Sequence, residues 1–137
     1  MQELRDFEIE IIEAFREAGR RTPRLGLWIR GHLLDVGMDY AYGMYKRYNE
    51  FAREAQKMGA FINEISYKSL RTYLFFLKQL NLIRVAGEEE VISHFGYYPE
   101  SKKGMRRTYL TLVEENIDSD AWLNPIKAYL NLKEVRH

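Results

Sequence analysis

Ser66-Tyr67-Lys68-Ser69-Leu70-Arg71-Thr72-Tyr73-Leu74-Phe75-Phe76-Leu77-Lys78-Gln79-Leu80-Asn81-Leu82-Ile83-Arg84-Val85 is the stretch on which the fold turns. Leu70, Leu74 and Leu77 recur at helical spacing, with Tyr73 and Leu80 alongside, so residues 67–80 are expected to form a helix with one buried stripe. Ser66 stands where an N-cap belongs, its hydroxyl able to accept a free N–H of the first turn. Asn81 follows the helix at a position that tolerates positive φ. Leu82 to Val85 then alternates as a strand. The outward face of the helix carries Tyr67, Lys68, Arg71, Thr72, Phe75, Lys78 and Gln79.

Downstream, Thr108 to Val113 alternates again and is rich in β-formers. The intervening residues hold Gly87, Gly96, Pro99, Ser101 and Gly104 together with Lys102, Lys103, Arg106 and Arg107. Two strands joined by such a segment read as a β-hairpin with a long, mobile, basic tip. Upstream, Leu25, Trp28, Ile29 and Leu33 give residues 25–36 one apolar face before Gly37. Residues 39–43 read as a short aromatic connector, and residues 44–58 as a third helix with Tyr45, Tyr48, Ala52 and Ala55 on one side and Gly59 as its stop.

The ends extend this core. Leu4, Phe7, Ile11, Ala14 and Ala18 run at 3-4-3-4 spacing, the rhythm of a helix–helix seam over residues 3–18. Glu3, Asp6, Glu10, Glu13 and Glu17 make an acidic stripe beside it, a face unsuited to a polyanion. Its apolar side can pack on its own domain or on a second subunit. At the other end, Asp118 to Asp120 opens a helix expected over 118–134, which Asn124-Pro125 can restart.

The order of helix, helix, helix, two-stranded hairpin, helix is that of a mainly α (α+β) winged helix-turn-helix. A major groove about 12 Å wide admits one helix, a preceding helix braces it, and a basic hairpin beside it reaches phosphates. The helix of residues 67–80 would enter the groove, 44–58 would brace it, and 83–113 would form the wing. Charge follows the same plan. Residues 1–15 carry a net −4, residues 16–107 a net +7 (17 Lys/Arg against 10 Asp/Glu), and residues 108–137 a net −2. A basic middle between acidic ends either marks a surface for an anionic partner or solvates the helices.

Two segments resemble the PadR-like winged-helix transcriptional regulators. Ser69-Leu70-Arg71-Thr72-Tyr73-Leu74 through Leu77 to Leu82-Ile83 is similar to the family's recognition-helix string Ser-Leu-Tyr-Pro-Ala-Leu-x-x-Leu-x-x-x-Gly-Leu-Ile. Arg107-Thr108-Tyr109-Leu110-Thr111-Leu112-Val113-Glu114-Glu115-Asn116 is similar to its wing strand Arg-Lys-Tyr-Tyr-x-Leu-Thr-Glu-Glu-Gly. Arg71-Thr72 stands for the family's Tyr-Pro, and Asn81 for its glycine. The wing is longer than the family's, and an extra helix precedes the domain. These extensions are also similar to those of small centromere-binding proteins of plasmid partition systems. The resemblance spans residues 25–116 and implies a dimeric, sequence-specific regulator that binds double-stranded DNA.

The expected contacts follow residue by residue. Arg71 can fork onto a guanine edge, and Lys68 lies beside it near the helix N-terminus. Tyr67, Ser69 and Thr72 accompany them, with Tyr67 and Thr72 suited to a phosphate or a thymine methyl. Lys102, Lys103, Arg106 and Arg107 grip the backbone, so replacing Lys102 and Lys103 should weaken binding to all sequences alike. Phe75 suits a subunit contact better than DNA. The terminal helices 3–18 and 118–134 are expected to build a homodimer on near-palindromic sites. The alternatives are a winged helix used for protein interaction, or a plasmid- or viral-type partition accessory protein that binds DNA.

Other chemistries lack their residues. Zero cysteines among 137 residues exclude a disulfide scaffold, a thiolate zinc site and a cysteine nucleophile. His32, His94 and His137 have no companions at ligand spacing, and no phosphate-loop or dinucleotide motif occurs. Asp35 and Asp39 read as helix-end and turn residues. No enzyme activity, metal or cofactor is expected. The run Tyr73 to Leu77 is far short of the roughly 18 apolar residues that span a bilayer, and residues 1–15 are acidic, so a cytoplasmic protein is expected. Trp28, Tyr40, Tyr42, Tyr45 and Tyr48 can line an effector pocket or pack as core.

Overall fold

The computed structural model describes residues 3–95 and 107–135. The chain is mostly helical with one small antiparallel sheet. Helix α1 (Asp6–Ala18) is followed by a single 3-10 turn and by α2 (Arg24–Val36). Strand β1 (Met38–Tyr40), α3 (Ala41–Lys57), α4 (Tyr67–Gln79) and β2 (Ile83–Val85) come next. Helix α5 (Glu88–Phe95), β3 (Tyr109–Leu112), two 3-10 turns and α6 (Pro125–Val135) complete the order.

Where the sequence signals are local, the elements agree with them. Ser66 Oγ accepts the Ser69 N–H at 3.1 Å and starts α4. Leu70, Leu74 and Leu77 are all buried, the inner side of that helix. Asn81 has φ +59° and Gly59 φ +84°, so both helix ends turn through the left-handed region.

The hairpin needs correction. The expected two-stranded wing is a three-stranded sheet of order β1-β3-β2, with β3 in the middle. Ile83 faces Leu112 and Val85 faces Leu110 on one side, and Tyr40 faces Tyr109 on the other. The residues taken as an aromatic connector supply β1 and the first turn of α3, which begins at Ala41 rather than 44. Three residues are too few for alternation to show. The stretch after β2 is also not all loop. Glu88-Glu89-Glu90 opens α5, acidic side chains favouring a helix N-terminus. The C-terminal helix begins at Pro125 rather than 118, because residues 120–123 form a 3-10 turn, and Asn124 Oδ1 caps the new start by accepting the Lys127 N–H at 3.2 Å.

The core lies where α1, α2, α3 and α4 meet the inner face of the sheet. Trp28, Ile29, Met44, Phe51, Ile62, Leu70, Leu77, Leu82 and Trp122 are essentially sealed from solvent. The seam face of α1 is covered within the chain by α2: Ile11 and Ile12 are buried, and a Cβ at Gly31 would overlap the Phe7 ring. Of the two partners open to this helix, its own domain is the one it meets. The acidic stripe of Glu3, Asp6, Glu10, Glu13 and Glu17 is exposed as expected. Among the described residues no helix is long and apolar enough to cross a membrane.

Candidate nucleic-acid interface

Two amides of α3 set the position of α4. Asn49, itself buried, donates to the Ile65 carbonyl at 3.0 Å and accepts the Ile65 N–H at 2.8 Å. Gln56 donates to the Ile62 carbonyl at 2.8 Å. The irregular segment between the helices thus has its buried backbone groups paired by side chains of the helix before it. This fixes the angle at which α4 leaves α3.

The outer face of α4 forms one wall of a cleft of about 970 Å³. Tyr67, Lys68, Arg71, Thr72, Phe75 and Lys78 stand along that wall. Tyr40, Ala41 and Tyr42 from the β1–α3 corner form a second, and Arg107 and Thr108 at the entry to β3 close a third. No carboxylate lines the cleft among the described residues. A second cleft of about 570 Å³ between α1 and α3 differs in kind: Glu3, Glu8, Glu50 and Glu54 face Arg5, Arg47, Arg53 and Lys57 there, and pairs such as Lys57–Glu54 at 3.0 Å neutralise one another. Of these two, the first is lined by cationic side chains and tyrosines, the second by charges of both signs.

Three tyrosines of this region each carry a cation over the ring. Arg71 lies 5.7 Å from the Tyr67 ring centre, Lys46 lies 5.1 Å from Tyr42, and Arg107 lies 4.6 Å from Tyr40. Tyr42 and Tyr67 meet edge to face at 5.6 Å, and each contacts Tyr45 at 5.5 Å. These contacts order long side chains that would otherwise sample many rotamers.

Of the expected contact residues, Tyr67, Lys68, Arg71, Thr72 and Arg107 come together around the cleft. Thr72 donates its hydroxyl to the Lys68 carbonyl at 3.1 Å, leaving its methyl group and a lone pair for a partner. Ser69 does not line the cleft: its hydroxyl meets Ser66 Oγ at 3.0 Å and belongs to the helix cap. Lys102, Lys103 and Arg106 lie outside the described residues. Phe75, expected at a subunit contact, stands at the cleft edge and packs its ring against Phe76 and Tyr129 of its own chain. The aromatic group read as pocket or core divides: Trp28 and Tyr48 are core, while Tyr40 and Tyr42 line the cleft. Sequence reasoning missed Tyr40, Tyr42 and Lys46 as companions of α4. The available signal was a repeated spacing, Tyr42 with Lys46 and Tyr67 with Arg71, each an i, i+4 pair in a first helical turn.

Behind β1 runs a buried polar chain. His32, sealed from solvent, stacks on Trp28 at 4.7 Å, and its Nε2 meets Asp39 Oδ2 at 2.7 Å. Its Nδ1 lies 2.9 Å from Arg5 Nη1. Guanidinium only donates, so Nδ1 accepts and Nε2–H donates to Asp39. Glu8, also buried, accepts the Trp28 indole N–H at 2.9 Å. Asp39 Oδ1 accepts the Tyr40 N–H at 2.8 Å, which joins the chain to the cleft wall. Burial pushes the Tyr48 phenol up to about 12 and raises that of Tyr73 as well. The Arg84 guanidinium hydrogen bond, with the Gly87 N–H, holds the exposed Glu90 carboxyl down to about 2. Among the described residues, no group of three or more His, Asp or Glu side chains is placed to hold a metal ion.

Compared with protein-family models, with curated proteins and with solved structures, the chain matches none.

Proposed function

We propose that the chain is a winged helix-turn-helix protein that binds double-stranded DNA in a sequence-dependent way, as a dimeric regulator of transcription. One observation carries this reading: Lys68, Arg71, Lys78 and Arg107 surround a single cleft along the exposed face of α4, with no carboxylate among its described lining residues. The element order supports it. Helix α2, strand β1, helices α3 and α4, and strands β2 and β3 back one another through the sheet, leaving the outer side of α4 uncovered. A helix so mounted fits a major groove. Arg71 near its N-terminal end can address a guanine edge, while Lys68, Lys78 and Arg107 meet phosphates. The dimer is assigned to the C-terminal end rather than to α1. Leu123, Ile126 and Leu130 are about half exposed at 54%, 45% and 53%, an apolar line along α6 and the turn before it.

Selection of bound sequences from a random duplex pool, followed by titration over a range of salt, tests the proposal. The expected result is an enriched near-palindrome whose affinity falls with salt at a log–log slope of about −0.9 per phosphate contacted. Arg71→Ala should relax one base position at a cost of about 1–3 kcal/mol, while Lys78→Ala weakens all sequences equally. Sedimentation should report a dimer that Leu130→Glu converts to monomers. No enrichment, or a flat salt plot, would overturn the assignment.

A further inference from the structure

We propose that the cleft also holds an unpaired DNA base at the edge of the bound duplex, stacked on the Tyr42–Tyr67 pair. This deepens the function proposed above and rests on it.

Base edges in an intact major groove present hydrogen-bonding groups and thymine methyls, but their faces are covered by neighbouring pairs. Four charged side chains and Thr72 answer to edges and phosphates. Tyr42 and Tyr67 do not, yet they are 47% and 37% exposed in the middle of the same surface. Partly exposed aromatic rings inside a cationic groove are the chemistry by which proteins hold unstacked bases. Each ring here brings its own cation, Lys46 at 5.1 Å and Arg71 at 5.7 Å. The Tyr42–Lys46 pair supplies both halves of a nucleotide's needs, a ring for the base and a positive charge for its phosphate, and Tyr67 adds a second ring beside it. The pairs come from the first turns of two different helices, and their rings meet edge to face at 5.6 Å. Tyr40 under Arg107 repeats the arrangement at the far wall, at 4.6 Å.

Anisotropy titrations of three DNAs decide the matter: a short duplex, the same duplex with one extra unpaired adenine, and the same bulge made abasic. The expected outcome is roughly tenfold tighter binding of the adenine bulge than of the plain duplex. The abasic bulge should lose that gain, because it keeps the flexible backbone without a base to stack. Tyr42→Leu and Tyr67→Leu should each bring the bulge-to-duplex ratio towards one, whatever they do to duplex affinity. Tyr67→Phe should preserve the ratio, since it keeps the ring and loses only the hydroxyl. Equal affinity for duplex and bulge, a gain shared by the abasic bulge, or a ratio unmoved in both leucine variants would overturn the inference while leaving duplex binding intact. Failure to bind any of the three DNAs would instead sink the function on which it rests.

Discussion

His32 shows how a single side chain can fix a corner of the fold that no local pattern announces. One ring nitrogen receives Arg5 from the N-terminal segment at 2.9 Å, and the other donates to Asp39 of β1 at 2.7 Å. Removing it takes the closest partner from a buried carboxylate, which keeps the Tyr40 N–H at 2.8 Å and Arg47 at 3.5 Å, and leaves a void beside Trp28. His32→Ala should therefore lower stability by about 2–3 kcal/mol, the cost of a buried hydrogen bond to a charged group together with that of the cavity. Urea unfolding checks this, and a loss below about 1 kcal/mol would mean the chain is not held as described. The reason it was illegible is distance: the sequence shows His32 beside Asp35, while its partners are Arg5 and Asp39, brought in by packing. Ser66, Gly59 and Asn81 were legible for the opposite reason. Each acts on the backbone within a few residues of itself. Among the candidate contacts, Arg71 and Lys68 could be placed from helical spacing alone. The capping role of Ser69 could not be separated from a surface role until the hydroxyl pair with Ser66 was seen.

Elements follow the same rule. Long helices reveal themselves by the repeat of their buried stripe, and α2, α3 and α4 all lie close to where their leucines and aromatics put them. Strand β1 has three residues and a partner far along the chain, so pairing rather than pattern creates it. Helix α5 has eight residues, too few to be stable on intrinsic propensity. Its first turn is held by Glu90, whose carboxylate meets Arg84 of β2 at 2.6 Å and the Gly87 N–H at 2.9 Å. That anchor has a definite pH dependence. The carboxyl is held below its ordinary 4.5, at about 2, so its contribution is complete above about pH 4.5 and disappears as pH falls towards 2. The Gly87 amide resonance should accordingly titrate with a midpoint near 2, and Glu90→Gln should abolish that transition and loosen the start of α5. A midpoint near 4.5 would mean that the pair does not form in solution.

At the scale of the whole molecule, the division of charge was readable from the sequence, and the acidic stripe of α1 is exposed as its spacing demanded. That Tyr40 and Tyr42 stand across from α4 was not readable, because it depends on how β1 seats against β3. The same meeting of distant segments buries two phenols where α2, α3 and α4 join. Tyr48 is 4% exposed, and the Tyr73 hydroxyl lies 2.9 Å from where a Cβ on Gly26 would stand, close enough that alanine there would displace it. Burial raises both phenols, Tyr48 to about 12 from the usual 10. A folded-state value above the unfolded one means that the native state holds the proton more tightly. Stability from this source is therefore complete below about pH 10 and is lost as pH rises towards 12, about 3 kcal/mol for a shift of two units at Tyr48. Ultraviolet titration should show the Tyr48 and Tyr73 phenols ionising only as far-UV circular dichroism reports unfolding. Tyr48→Phe should remove one of the late phenols and flatten the alkaline loss of stability. If the Tyr48 and Tyr73 phenols ionise near pH 10 with the helices intact, they are reachable by water and the packing of α2 on α3 and α4 is looser than described.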